Sequence, residues 1–132
     1  MMVEDYCSFE TALALKEKGF DEACLHYYRT ETTLGKTYTN LSFTDEYLHN
    51  SEIKYGAYKG CECTAPTLQM AMKWLREQYH LAINIDYMGE SPTFKYYIYN
   101  MEGTDKHTNF KHYDSYEETV EVAIKYCLEH LI

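Results

Sequence analysis

The stretch Leu81–Asn100, LAINIDYMGESPTFKYYIYN, changes character every second residue. Ile83, Ile85 and Tyr87 fall on one side of an extended chain, and Asn84 and Asp86 on the other. After the Gly-Glu-Ser-Pro turn the alternation resumes, with Phe94, Tyr96 and Ile98 opposite Lys95, Tyr97 and Tyr99. Two half-buried strands joined by a short turn make an antiparallel hairpin, so the sheet is antiparallel and needs a cover on one face. A shorter third strand is expected within Lys106–Tyr113, KHTNFKHY.

The flanking segments switch to the helical period. TAPTLQMAMKWLREQY begins with capping threonines at Thr64 or Thr67, tolerates Pro66 in the first turn, and repeats Leu68, Ala71, Met72, Leu75 and Tyr79 on one face. Met70 and Trp74 widen that face. The last helix opens with a capping box, Ser115 with Glu118. Its apolar stripe is Tyr116, Val120, Ala123, Ile124, Cys127, Leu128 and Leu131, and Glu117, Glu118, Glu121, Lys125 and Glu129 face water.

The first half of the chain echoes this order. SFETALALKEKGF reads as a helix of about ten residues capped by Ser8 and stopped at Gly19, with Phe9, Ala12 and Leu13 inward. EACLHYYRT, GKTYTNLSF and IKYGAYKGCEC then read as strands. The predicted order is αβββ-αβββ-α, with a faint internal duplication. The fold class is therefore α+β: one domain over residues 1–132, an antiparallel sheet of about five to six strands, and three helices mainly on one face.

Composition narrows the function classes. The 132 residues carry 12 basic and 21 acidic side chains, a net charge of −9 spread over both halves. Such a body repels phosphate backbones, which makes nucleic acid an unlikely partner. A double-stranded-RNA-binding reading of residues 64–132, suggested by the αβββα order, meets Glu117 and Glu118 where lysines are needed. An acidic N-terminus and the lack of a long apolar run indicate neither signal peptide nor membrane span, and five irregularly placed cysteines suit a reducing cytoplasm.

Cys61-x-Cys63 is the most chemically suggestive pair. On a regular strand both thiols point to one side. One C-x-C without a second knuckle is a poor zinc site, and His107 and His112 would have to complete it, so packed thiols with no metal and no cofactor are expected. Cys63 precedes a helix start, which leaves Cys63 and Thr67 as a candidate ligand or enzyme site where free N–H groups favour anions. The common hydrolase, nucleotide and dinucleotide motifs do not occur, and no carboxylate pair stands out as acid and base.

Fifteen tyrosines are the compositional oddity, and many lie on predicted strands. Sheet packing accounts for most of them. Lys95, Tyr97 and Tyr99 share the face opposite Phe94 and Ile98, forming a candidate contact surface for a protein partner or for a second copy of the chain. An exposed edge strand is another means of association. The expected function is thus a small non-enzymatic interaction module, with a ligand site near Cys63–Thr67 as the alternative.

The segments SFETALALKEKGFDE (8–22), CTAPTLQMAMKWLRE (63–77) and YDSYEETVEVAIKYCLEHLI (113–132) resemble a group of small proteins of gut bacteria and their phages. That group shares a Ser-Phe-Glu helix, an Ala-Pro-Thr-Leu helix with Lys-Trp-Leu-Arg-Glu, and a Tyr-Glu-Glu helix. The match covers the three helices, with looser strands between. This chain has CECT before Ala65 where one Cys followed by Ser is usual, so Cys61 gains no support. The group carries no established activity; the resemblance implies a small cytosolic protein of phage or mobile-element origin and assigns no site residue.

Overall fold

The computed structural model describes residues 5–53 and 60–132. In order they form α1 (Phe9–Glu17), β1 (Cys24–Thr33), β2 (Lys36–Leu48), a 3-10 turn (Asn50–Glu52), β3 (Cys61–Thr64), α2 (Leu68–Tyr79), β4 (Leu81–Met88), β5 (Thr93–Asn100), β6 (Lys106–His107) and α3 (Tyr116–Tyr126), which runs into a π turn (Cys127–Leu131). The class is α+β, and the order is the αβββ-αβββ-α read from the periodicities. The six antiparallel strands divide into two sheets of three, ordered β2-β1-β3 and β4-β5-β6. In one sheet the first strand is central and in the other the second is, so the recurring order is not a recurring topology. Residues 54–59 of the segment read as a strand, including Tyr55 and Tyr58, lie outside the described residues.

The chain divides into two compact units, one holding Asp5 and Leu68–Ile132, the other the described residues of Tyr6–Thr67. In the second of these, Ser8 caps α1 by accepting from the Thr11 amide, and Gly19 ends it at φ +96°. The buried stripe is Thr11, Ala12 and Leu15, whereas Phe9 and Leu13 are half-buried. Phe9 instead rests edge-on against Tyr28 of β1. β1 and β2 turn through Leu34-Gly35, both at positive φ (54° and 76°), as a two-residue type I′ hairpin requires. Asn50 ties the crossover to the sheet: its amide donates to the Phe20 carbonyl at 2.7 Å, and its Oδ1 accepts from the Thr64 amide at 2.8 Å.

In the other unit β4 and β5 pair in unbroken register from Leu81↔Asn100 to Met88↔Thr93, as the opening alternation demands. Tyr96 and Ile98 are buried, and α3 lies over them, with the Tyr126 ring 6.4 Å from Tyr96 and the Tyr116 ring 6.2 Å from Phe94. Ser115 caps α3 by accepting from the Glu118 amide at 3.0 Å. Of the expected stripes, Leu68, Ala71, Met72, Trp74 and Leu75 of α2, and Val120, Ala123 and Ile124 of α3 with Cys127 and Leu128 of the π turn, are buried. Tyr79, Tyr87 and Tyr116 are at least partly in water, since a phenol can sit at an element's end with its hydroxyl wet. The third strand is only two residues long. The chain rejoins β5 through a bridge between Phe94 and Tyr113, and the segment between is folded by turns in which Asn109 Oδ1 accepts from the Lys111 amide.

Candidate functional site

Alternation along β5 buries Tyr96 and Ile98 beneath α3 and turns Lys95, Tyr97 and Tyr99 to the opposite face. Register completes that face. Asp86, Asn84 and Ala82 on β4 stand opposite Lys95, Tyr97 and Tyr99, and Lys106 on β6 stands opposite Tyr99. The two phenol rings lie 6.4 Å apart at 33°. The Lys106 ammonium sits 4.5 Å from the Tyr97 ring centre and 5.8 Å from that of Tyr99. Lys95 is 5.2 Å from Tyr97 and 5.0 Å from Phe110, which comes from the loop after β6. Each ammonium lies within the range where the negative face of a ring attracts a cation.

Phe110 is 77% exposed and has φ +61°, a left-handed conformation that is rare for a bulky residue. Its amide donates to Thr108 Oγ1 at 3.4 Å, and the Asn109 side-chain amide donates to the Tyr113 hydroxyl at 2.7 Å. These turn contacts hold the ring over Lys95. The result is a ridge of three aromatic rings and two ammonium groups on a chain that is otherwise strongly acidic. Lys95, Tyr97 and Tyr99 were legible from the period of two. Lys106 and Phe110 were not, since one depends on strand pairing and the other on the left-handed turn at Phe110.

The other candidate residues lie in different surroundings. Cys63 is fully buried on β3, and burial pushes its thiol up to about 12. Cys61 is partly buried, and burial pushes it up to about 11. They do not share a face. Cys63 is registered against Tyr28 and Cys61 against Arg29, neighbours on β1, because a bulge at Glu62 interrupts the alternation. A thiol with so high a pKa is almost all protonated at neutral pH and is a poor nucleophile. The Thr67 carbonyl faces the Cys7 thiol at 3.9 Å, and the Leu68 amide at the start of α2 already donates to the Asp5 carbonyl at 3.0 Å. Among the described residues, no group of three or more His, Cys, Asp or Glu side chains is placed to hold a metal ion. An open groove beside β1, lined by Arg29, Thr30, Glu31, Thr32, Thr33 and Gly60, holds the 3.5 Å Arg29–Glu31 ion pair.

Compared with family models, curated proteins and solved structures, the chain matches none. No helix of the described residues is long and apolar enough to cross a membrane.

Proposed function

We propose that this protein is a small non-enzymatic interaction module whose contact surface is the open face of the β4-β5-β6 sheet. The carrying observation is the placement of Lys106 and Lys95 over the rings of Tyr97, Tyr99 and Phe110. Aromatic side chains that keep both a flat apolar body and a polar edge dominate protein contact surfaces. The two lysines add the sign of the partner. A protein surface bearing carboxylates is attracted to this ridge and repelled by the rest of a chain of net charge −9, which orients the encounter.

Function in the cytoplasm, and an origin in a phage or mobile element, belong to the same reading. The first is supported by five cysteines of which none forms a disulfide, and the second by the helix motifs. The ligand-site alternative at Cys63–Thr67 gains no support from a thiol that is buried and protonated.

The test is site-specific photocrosslinking in the organism that encodes the chain. A photoreactive phenylalanine at Tyr99 or at Phe110 should give the same protein adduct, and one at Glu117 on the exposed start of α3 should not. Adducts that form equally from Glu117, or none from either aromatic position, count against this face.

A further inference from the structure

We infer that the β1–β2 hairpin is a self-association arm, through which two copies of this chain join their β2 edges into one continuous antiparallel sheet. Every residue from Glu31 to Leu41 is exposed, although the segment is a regular two-stranded ladder. A lone hairpin is marginal in water, and here it presents its exposed residues without a covering layer. The outer edge of β2 has no strand partner among the described residues. It also lacks the features that protect edges. From Thr37 to Thr44 the sequence TYTNLSFT contains no charge and no proline. Leu41 is 44% and Phe43 63% exposed on it.

The hairpin turn fixes which groups of that edge are free. With a two-residue loop, Thr33 and Lys36 are a hydrogen-bonded pair, and the alternation then makes Glu31/Tyr38, Arg29/Asn40 and Tyr27/Ser42 bonded pairs as well. Thr37, Thr39, Leu41 and Phe43 therefore aim their N–H and C=O groups outward. β1 shows the same phase on its other side. The Thr30 amide donates to the Gly60 carbonyl at 2.8 Å, and the His26 carbonyl accepts from the Ala65 amide at 2.8 Å, both away from β2.

The outward set is self-complementary. A two-fold axis at Asn40 pairs Thr37 with the second copy's Phe43 and Thr39 with its Leu41, giving about eight new N–H···O bonds from four two-bond pairs. The cross-strand neighbours become threonine against phenylalanine and threonine against leucine, β-branched residues against large apolar ones. Charge permits that occupant here. Two chains of net charge −9 repel at most orientations, and this neutral edge, with only Lys36 and the Asp45-Glu46 pair at its ends, lets them approach. The register stops at Phe43 because β2 leaves its regular pairing there, with Cys24 opposite Leu48 after His26 opposite Phe43.

Sedimentation equilibrium of the full chain under reducing conditions tests the inference. A monomer–dimer equilibrium is expected in the micromolar range. Thr39→Pro removes one outward N–H without touching the β1 ladder, and Leu41→Lys puts a charge on the edge. Each should weaken association at least tenfold while leaving circular dichroism and the urea midpoint near wild type. Asn40→Cys should form an intermolecular disulfide on mild oxidation, because that position faces itself across the axis; Tyr38→Cys should not. A monomer throughout the range, a dimer that survives both edge variants, or a dimer in which Asn40→Cys fails to crosslink overturns the proposal. Tyr97→Ala with Tyr99→Ala should leave the dimer unchanged, which separates this arm from the sheet face proposed above.

Discussion

Asn50 donates to the Phe20 carbonyl and accepts from the Thr64 amide, and all of this lies out of water. Asn50→Ala leaves two buried main-chain groups unpaired, a loss of about 2–4 kcal/mol at the usual cost of such groups. Urea unfolding should show it as a lower midpoint with an unchanged slope, and a shift below about 1 kcal/mol would mean that water reaches the site. Leu34 raises the opposite question. It is 96% exposed and held at φ +54°, a conformation that asparagine adopts at less cost than leucine. Leu34→Asn should stabilise the hairpin by about 1 kcal/mol, read as a higher midpoint. The cysteines divide by access. Burial pushes Cys63 and Cys127 up to about 12, and partly buried Cys61 reaches only about 11. Native iodoacetamide labelling should reach Cys61 slowly and first, with Cys63 and Cys127 modified only on unfolding.

At the scale of elements, the junction between α1 and the 3-10 turn is pH-sensitive from both sides. Asp21 Oδ1 accepts from the Ser51 amide at 2.7 Å, which holds its carboxyl below the usual range. The Asp21 carbonyl lies 2.6 Å from His49 Nδ1, which raises the imidazole above its usual value. The lowered acid stabilises the junction above its unfolded pKa of about 3.9 and loses that effect as pH falls through the folded value. The raised histidine stabilises it below about 6.5 and loses that effect as pH rises through the folded value. The junction is therefore tightest between these limits. In an NMR titration the Ser51 amide should follow a carboxyl group that titrates below the ordinary range, and the His49 ring should titrate above it. Ordinary midpoints at both positions would show that these contacts do not form in solution.

For the whole molecule, charge and association are linked. A dimer of two chains of net charge −9 is opposed by their mutual repulsion, which salt screens over a Debye length of about 8–10 Å at moderate ionic strength. Association through the neutral β2 edge should therefore strengthen between low and physiological salt. Binding of a carboxylate-bearing partner at Lys95 and Lys106 should weaken over the same range. Sedimentation and crosslinking yield measured across a salt series should move in opposite directions. If they move together, the two surfaces are not electrostatically distinct.

The local patterns were sufficient for most of the elements, though not for the length of β6. Ser8 and Ser115 as caps, Gly19 as a stop, and the alternation from Leu81 to Asn100 each depend on a residue and its near neighbours, and each appears where the chain places it. The same alternation placed Lys95, Tyr97 and Tyr99 on one face. What the sequence did not carry depends on pairing between distant segments. One extra residue at Glu62 turns Cys61 and Cys63 to opposite faces, and spacing alone has no term for a bulge. The division of six strands into two sheets with different central strands, and the arrival of Lys106 and Phe110 beside the tyrosines, follow from which edges find partners when the chain closes. That choice is made by burial summed over the whole unit rather than by any residue's own preference.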